Sequence, residues 1–398
     1  MNAGADHEGS PLLSHMTRGT VETRDRAELE ALLADLGREA GRFRFEVAPN
    51  PCVGAAVLSS GVEVARGYHE VYGEAHAEVQ ALRAAELSGI PQENWDTLVI
   101  TLEPCSSTGK TPPCVEAILR AGIRRVVVGE LDPDARHRGR GLEQLAQAGI
   151  EVILLEGAAP LSAVSPFFET WNSYERLRRP RPWTIAKWAQ TRTGQLTPPE
   201  DVGEGRWISC ADSLEEVQIL RSRVDAVVTG IGTVRADDPR FTVRPPADPS
   251  SPPIRVVLDS YLKTPPQSRL FDPAPEGCGA GEVFLLSLPG LEGGRQEPLM
   301  ERGAQLVALH SNGNKQIALR EVQEWLWAQG VRRVLLECGP TLLARYFELG
   351  FVDQLRIYTG AVNGGRGESM GTTLSGLKLS EREDRESGED SVLEAFVG

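Results

Sequence analysis

The strongest constraint on how this chain can fold is a set of three potential metal ligands that are distant in sequence. His76 precedes Glu78 by two positions, and Cys105 and Cys114 follow in the segment Pro-Cys-Ser-Ser-Thr-Gly-Lys-Thr-Pro-Pro-Cys. One imidazole and two thiolates suit Zn²⁺, and three protein ligands leave its fourth tetrahedral position open. The hydropathy pattern places His76 and Cys114 at helix starts and Cys105 after a strand, so the fold must bring these three ends together.

An open coordination position favours catalysis over a purely structural metal site. Zinc lowers the pKa of a water in that position, and a nearby carboxylate can move a proton from the water to a leaving amine. Glu78 is the candidate for this role, so the motif predicts a hydrolytic deaminase. Two alternative interpretations stay open. One is a closed structural zinc site, although no nearby Cys or His is an obvious fourth ligand, and the other is a pair of buried cysteines without a metal.

Length, charge and cysteine usage limit the class of protein. The 398 residues suggest two or three domains at about 150 residues each. A formal net charge of −14 argues against a nucleic-acid partner, which needs a basic surface. No apolar run approaches the ~20 residues of a membrane helix, and residues 1–24 lack a secretory leader and are expected to form a mobile extension. Six scattered cysteines favour a reducing cytoplasm over a disulfide framework.

Alternating helix and strand patterns predict an α/β fold with a mixed sheet in the first domain, residues 25–157. The predicted helices are 25–41, 76–87, 114–121 and 141–148, and the predicted strands are 53–58, 62–67, 98–102, 125–129 and 151–155. A proline-broken basic segment then ends a predicted linker, residues 158–182.

A second α/β pattern occupies residues 183–398. The predicted strands are 184–189, 226–230, 255–258, 283–286, 305–308, 334–336 and 354–358, and the predicted helices are 212–223, 317–329 and 341–349. The charged stretch 380–390 is expected to be a surface loop. Residues 337–342 end a buried strand and open a helix, where backbone N–H groups could bind a phosphate, although an ordinary strand–helix turn has the same pattern.

Several motifs of the first domain resemble a known family. Asn50-Pro51-Cys52-Val53-Gly54-Ala55, Gly67-Tyr68-His69-Glu70, His76-Ala77-Glu78-Val79 and the Gly-Lys-Thr-Pro-Pro-Cys loop resemble the deaminase domain of the bifunctional riboflavin biosynthesis deaminase/reductase. The resemblance implies a cytidine-deaminase-like three-layer domain. It also implies substrate contacts by Asn50, His69, Lys110 and Thr111, with Lys110 facing a ribose phosphate. Ser107 departs from the family, which usually carries a histidine there.

The second domain resembles the reductase half of the same family in the order and spacing of its motifs. The matching segments include 229–234, 237–244, 257–260 and 337–342. The resemblance implies a dihydrofolate-reductase-like α/β domain that binds NADPH. The implied cofactor-binding residues are Trp207, Thr233, Asp237, Ser260, Gly339, Pro340, Thr341 and Leu342. The implied substrate contacts are Arg221, Arg240, Arg244 and Glu337.

The resemblance as a whole implies two successive reactions in riboflavin biosynthesis. The first is zinc-dependent deamination of 2,5-diamino-6-(5-phosphoribosylamino)pyrimidin-4(3H)-one to 5-amino-6-(5-phosphoribosylamino)uracil. The second is NADPH-dependent reduction of the ribosyl to the ribityl chain, and a homo-oligomer is implied as well. Departures from the family at Thr193, Gly205 and Cys338 leave open a deaminase whose reductase-like domain has lost activity. A nucleic-acid base deaminase and a non-catalytic zinc scaffold also stay open at the level of the sequence.

Overall fold

A computed structural model describes residues 23–108, 111–132, 137–155, 181–200, 208–291 and 294–398. They form two compact units, which we call the first unit (up to residue 155) and the second unit (from residue 181). The predicted extension, apart from residues 23–24, and the predicted linker, apart from residues 181–182, lie outside the described residues. Across the described ranges, no helix combines the length and the apolar character needed to cross a bilayer.

The first unit is built on a five-stranded mixed sheet with the order β2-β1-β3-β4-β5. Its strands are β1 (Gly54–Ser59), β2 (Val62–Tyr68), β3 (Thr97–Leu102), β4 (Arg125–Glu130) and β5 (Glu151–Leu154). Its helices are α1 (Thr23–Ala40), α2 (Arg44–Val47), α3 (Ala77–Glu86), α4 (Cys114–Ala121) and α5 (Arg140–Gln147). Strand β1 pairs antiparallel with β2 and β3, whereas β3, β4 and β5 run parallel.

Helices cover both faces of this sheet and create three layers. Leu33 and Leu36 of α1 pack on one face, and α3, α4 and α5 pack on the other. Successive residues of β3 alternate between the two cores, with Val99 facing α1 and Ile100 facing the other helices. Because both faces are buried, β3 is apolar nearly throughout, as is usual for strands in parallel sheets. The three-layer α/β prediction is confirmed.

The second unit contains a nine-stranded sheet with the order β11-β10-β9-β8-β12-β6-β13-β16-β15, and a two-stranded sheet of β7 and β14. Its strands are β6 (Trp183–Gln190), β7 (Gln195–Thr197), β8 (Ala226–Gly230), β9 (Ile254–Leu258), β10 (Val283–Ser287), β11 (Ala304–Ala308), β12 (Arg333–Leu336), β13 (Gln354–Thr359), β14 (Arg366–Ser369), β15 (Leu379–Ser387) and β16 (Asp390–Val397). Its helices are α6 (Ala211–Ser222), α7 (Ile231–Asp237), α8 (Gln296–Glu301), α9 (Leu319–Ala328), α10 (Pro340–Glu348) and α11 (Gly371–Ser375).

The parallel part of the large sheet determines where ligands can bind. The seven strands from β11 to β13 in the sheet order are parallel, and they correspond to the seven strands predicted for this domain. Helices α9 and α10 pack on one face, where Leu326 and Tyr346 are fully buried. Ligands of such sheets bind outside the carboxyl ends of the strands. That edge carries the start of α10, directly after β12.

The expectation of a surface loop at 380–390 is wrong. These residues form most of β15 and the turn into β16, with which β15 pairs antiparallel. Charged side chains of β15 pair with neighbouring elements: Arg385 donates to Glu216 of α6 at 2.6 Å and to Glu394 of β16 at 3.3 Å. Charged side chains are common on edge strands, which they protect from pairing with other chains. A pattern of charges alone therefore did not distinguish this edge strand from a loop.

Candidate active sites

The three predicted metal ligands meet in the first unit. Their ligand atoms all lie within 4.8 Å of one another. His76 Nδ1 is 3.6 Å from Cys105 Sγ and 3.3 Å from Cys114 Sγ. His76 precedes α3, Cys105 follows β3 and Cys114 begins α4, which are the positions expected from the sequence.

The donor set and its surroundings fit a zinc ion. The Cys114 N–H donates to Cys105 Sγ at 3.3 Å, so backbone at the start of α4 stabilises a thiolate. Hydrogen bonds with the Cys114 side chain and with His76 lower the pKa of the Cys105 thiol to about 4, although burial opposes them. One thiol of the pair is thus ionised readily, and a bound cation favours ionisation of the second.

A buried carboxylate holds the segment that carries Cys105. Glu103 accepts hydrogen bonds from the backbone N–H groups of Asp132, Gly139 and Gly141 at 3.1, 2.8 and 2.9 Å. A side chain at Gly141 would place its Cβ 2.1 Å from the Pro104 carbonyl oxygen, so only glycine allows this close approach. Glu103 and Gly141 therefore position the turn that presents Cys105.

Glu78 lies beside the metal ligands on α3 and is 3 % exposed. Burial raises the pKa of its carboxyl group to about 7, although the charge on His76 opposes the shift. The Cys114 thiol is a hydrogen-bond partner of this carboxyl group. A carboxyl group held in this way can carry a proton at neutral pH and release it again, as general acid–base catalysis requires.

Of the four residues predicted to contact the deaminase substrate, three are described. Asn50 Nδ2 lies 3.1 Å from His69 Nε2, and the rings of His69 and His76 are 5.1 Å apart. Burial, reinforced by the charge on His76, lowers the pKa of His69 to about 4, so its imidazole is neutral at neutral pH. Thr111 is half-buried shortly before Cys114, whereas Lys110 lies outside the described residues.

A second candidate site is a cleft of about 1410 Å³ in the second unit. It lies at the carboxyl edge of the parallel strands, as expected for this sheet. Eleven of the twelve residues predicted for the reductase line this one cleft: Arg221, Thr233, Asp237, Arg240, Arg244, Ser260, Glu337, Gly339, Pro340, Thr341 and Leu342. The twelfth, Trp207, lies outside the described residues.

A charged triad lies in this cleft next to the end of β12. Arg221 binds Glu337 through two hydrogen bonds of 2.6 and 2.9 Å, and Lys187 Nζ is 3.7 Å from the same carboxylate. Burial alone would raise the pKa of Glu337, but Arg221 and then Lys187 outweigh it and hold the pKa at about 2. Burial lowers the pKa of Lys187 although Glu337 opposes the shift. Sequence reasoning missed Lys187, although a lysine inside the otherwise apolar segment Trp-Thr-Ile-Ala-Lys-Trp-Ala was a usable signal.

The strand–helix turn at residues 337–342 faces the same cleft. The Gly339 N–H donates to Thr233 Oγ1 at 3.1 Å, which ties the start of α10 to α7. The first N–H groups of a helix have no intrahelical partner and carry a partial positive charge. Because α10 begins at Pro340 inside the cleft, its first turn is suited to a pyrophosphate.

The positions that depart from the family differ in location. Thr193 is exposed in the turn between β6 and β7, where Gly364 N donates to its hydroxyl at 2.9 Å, and it does not line the cleft. Cys338 does line the cleft, and burial raises the pKa of its thiol, which keeps it protonated. Gly205 lies outside the described residues, and Ser107 is exposed on the loop between the two cysteine ligands.

Comparison with known proteins matches both units. Residues 29–130 match the model of the cytidine and deoxycytidylate deaminase zinc-binding region, and residues 182–393 match that of the RibD C-terminal domain. The riboflavin biosynthesis protein RibD of Aquifex aeolicus is 34 % identical over 351 residues, which are 87 % of this chain and 92 % of the relative. That of Escherichia coli is 33 % identical over 80 % of this chain and 84 % of the relative.

Solved structures of similar length have the same architecture. Acinetobacter baumannii RibD is 26 % identical and superposes with a TM-score of 0.63, covering 94 % of this chain and 99 % of its own. A Thermotoga maritima protein, described as a diaminohydroxyphosphoribosylaminopyrimidine deaminase/5-amino-6-(5-phosphoribosylamino)uracil reductase, is 26 % identical. It has a TM-score of 0.63, with 93 % and 99 % of the two chains covered.

Proposed function

Because the chain belongs to the RibD family of bifunctional riboflavin biosynthesis deaminase/reductases, we propose that the cluster around His76 is its deaminase site and the cleft around Glu337 its reductase site. The proposed first substrate is 2,5-diamino-6-(5-phosphoribosylamino)pyrimidin-4(3H)-one. One observation for each site supports the assignment: every described residue predicted for the reductase lines one cleft, and the predicted metal ligands lie within 4.8 Å of one another.

In the deaminase site, His76, Cys105 and Cys114 would hold zinc. When bound, zinc supplies Lewis-acid activation of a water molecule. Glu78 takes a proton from that water as the water oxygen adds to the ring carbon that carries the amine. It then gives that proton to the amine, the C–N bond breaks and ammonia leaves. The remaining hydroxyl proton passes to the neighbouring ring nitrogen, so that a carbonyl group is formed. Neutral His69 and Asn50, which are 3.1 Å apart, orient the pyrimidine by hydrogen bonds.

In the reductase site, the first turn of α10 and the residues near Thr233 would hold NADPH. When bound, NADPH supplies a hydride to C1′ of the ribosylamine. The sugar ring oxygen must gain a proton as the ring opens, and Lys187 is the proposed donor because its ammonium group lines the cleft. Glu337, which Arg221 binds, holds Lys187 in place at 3.7 Å. Arg240 and Arg244 are suited to a ribose phosphate because guanidinium groups match phosphate oxygens.

We also propose a cytoplasmic location and a homo-oligomer. The location is supported by the six cysteines, all of which are free of disulfide bonds. The homo-oligomer rests on the family resemblance alone and stays a prediction, which sedimentation equilibrium of the purified chain would test.

The function is tested by following ammonia release and NADPH loss in one tube with zinc-loaded protein. Equal amounts of ammonia released and NADPH consumed establish the two activities. Ammonia release without NADPH loss would identify a deaminase whose reductase unit is inactive. The Glu78→Gln variant should lower ammonia release by about 10²–10⁴-fold with its zinc content unchanged. Glu86→Gln, at the exposed far end of the same helix, is the matched control and should keep full activity. Loss of zinc together with activity in Glu78→Gln would contradict the proton-transfer role.

A further inference from the structure

Lys187, the proton donor proposed above, contacts an aromatic ring as well as a carboxylate. Its Nζ is 3.7 Å from Glu337 and 5.7 Å from the ring centre of Tyr358, over which it lies. Tyr358 is fully buried, and only 13 % of the Lys187 side chain is exposed. An ammonium group within about 6 Å of a ring centre is attracted by the negative face of the ring, most strongly where water is excluded.

The strand register explains why Lys187 and Tyr358 meet. In the parallel pair of β6 and β13, Lys187 is the register partner of Arg356. Two positions further along, Ala189 is the partner of Tyr358. Residues two apart in a strand point to the same face of a sheet, so these four side chains share one face. Because Val217 of α6 packs against Tyr358, the ring is enclosed between this face and α6.

Among the described residues of this face, Lys187 is the cation without a carboxylate of its own. Three arginines each bind one carboxylate: Arg221 binds Glu337, Arg356 binds Glu394 and Arg385 binds Glu216. Arg221 occupies Glu337 with two hydrogen bonds of 2.6 and 2.9 Å, so Lys187 shares a carboxylate that is already bound. Burial lowers the pKa of Lys187, which Glu337 opposes and Arg221 reinforces. The face of the Tyr358 ring is a further group that favours the charged ammonium.

The position of the ring is itself fixed. The Tyr358 hydroxyl donates to Glu216 of α6 at 3.4 Å, and Arg385 of β15 donates hydrogen bonds of 2.9 and 2.6 Å to the same carboxylate. Burial raises the pKa of Tyr358, so its hydroxyl keeps the proton that it donates. Val217 and Val392 pack beside the ring. Packing and this hydrogen bond therefore hold the ring without using any N–H group of Lys187.

We propose that Tyr358 is a positioning residue of the reductase reaction, and that the face of its ring holds the Lys187 ammonium group beside Glu337 at the cleft. This inference rests on the reductase function and on the proton-donor role of Lys187 proposed above. A ring face attracts an ammonium group without accepting a directed hydrogen bond, unlike a second carboxylate. Since an ammonium group has three donors, those that Glu337 does not bind stay available. One of them gives its proton to the sugar ring oxygen as the C1′–O bond breaks.

The test compares two side chains of nearly equal shape at position 358 in the zinc-loaded full chain. One variant is Tyr358→Phe, and the other is the same phenylalanine with fluorine at both meta positions, which withdraws electrons from the ring face. The meta positions leave the ring edge that faces Glu216 unchanged. NADPH loss with 5-amino-6-(5-phosphoribosylamino)uracil is followed from about pH 6 to about pH 10.5, because the alkaline limb of kcat/KM reports the proton donor of the free enzyme.

Tyr358→Phe should keep kcat/KM within about threefold, since the ring face remains. Fluorination should increase the acid ionisation constant of Lys187 about twofold and Tyr358→Leu about fivefold, so the alkaline limb moves to lower pH in that order. Tyr358→Leu should also lower kcat at pH 7 about tenfold, with the Kd of NADPH unchanged. The same fluorination of Phe284, a buried residue of β10 that packs against Trp325 outside the cleft, is the matched control and should change nothing.

Each other outcome overturns a particular step. Equal pH profiles for the two phenylalanine variants would show that the ring acts only through its shape, and this comparison does not depend on the folding of Tyr358→Leu. A loss in Tyr358→Phe as large as in Tyr358→Leu would assign the role to the hydroxyl group. A parallel weakening of NADPH binding and kcat would indicate a purely structural role.

Failure of the underlying function is recognisable separately. Full activity and an unchanged alkaline limb in Lys187→Met would refute the proton-donor role of Lys187. The absence of NADPH loss with wild-type protein would refute the reductase function itself. Neither result involves a change at Tyr358.

Discussion

Replacement of Glu337 by glutamine tests whether the charged triad of the reductase cleft is buried and ionised. Glu337→Gln keeps the shape of the side chain but removes the negative charge that Arg221 and Lys187 share. The pKa of Glu337 is lowered from 4.5 to about 2 by these partners, after burial is overcome. Each factor of ten in the ionisation constant corresponds to about 1.4 kcal/mol, so the ionised carboxylate stabilises the fold by about 3 kcal/mol at pH 7.

The pH dependence of this effect has a definite sign. A carboxyl group whose pKa is depressed in the folded state stabilises the protein above its unfolded-state pKa, and the contribution disappears as pH falls toward the folded-state value. The difference in unfolding free energy between wild type and Glu337→Gln should therefore be about 3 kcal/mol from pH 7 to pH 5 and about 2 kcal/mol at pH 3.5.

The assay is urea unfolding followed by hydrogen-exchange mass spectrometry of peptides from β6 and β12, which assigns the transition to the second unit. Asp384→Asn in the exposed Arg382–Asp384 pair is the control and should cost less than about 0.5 kcal/mol. A cost for Glu337→Gln below about 1 kcal/mol, or one that does not change between pH 5 and pH 3.5, would refute the reasoning, since it would mean that the carboxylate is not ionised against buried cations.

Three further substitutions test how each site is held. Cys114→Ser should abolish stoichiometric zinc, measured by atomic emission, while NADPH oxidation with the deaminated substrate continues; loss of both activities would show that the two sites depend on each other. Gly67→Ala would place a Cβ 2.1 Å from the Ala81 nitrogen of α3, so it should destabilise the first unit by about 2 kcal/mol in thermal unfolding, and an unchanged melting temperature would contradict the close packing. Arg255→Met removes donors from the carbonyls of Leu270 at 2.6 Å and Gly281 at 2.7 Å. It should destabilise the second unit by about 3 kcal/mol in urea unfolding, and Arg255→Lys should recover part of this unless the carbonyls find other donors.

The metal cluster was predictable because its signals are local. A histidine at a helix start, a cysteine after an apolar strand and a second cysteine at the next helix start are all visible in hydropathy and turn patterns. The same holds for the seven parallel strands of the second unit, whose continuous apolar runs reflect burial on both faces. The sites for cofactor and substrate came from motif resemblance, and their roles stay predictions.

Contacts between distant strands escaped the sequence analysis. Lys187 was overlooked because its partner Glu337 is far away in sequence and becomes its neighbour only when β6 pairs with β12. The strand β15 was mistaken for a loop because its charges pair with Glu216 of α6 and Glu394 of β16, which no local pattern shows. The support that Glu103 gives to the Cys105 turn depends on backbone N–H groups between β4 and the start of α5, which no local pattern shows.

The sequence by itself determined the type of most elements and indicated the candidate metal ligands and the carboxylate beside them, since each depends on residues within a few turns of the chain. Only the tertiary structure decided which charges become partners and where they face. The order of strands in the sheet places Lys187, Arg221 and Glu337 in one buried triad. Periodicity reports which face of an element is buried, but the neighbour that buries it is chosen by strand pairing across the whole unit.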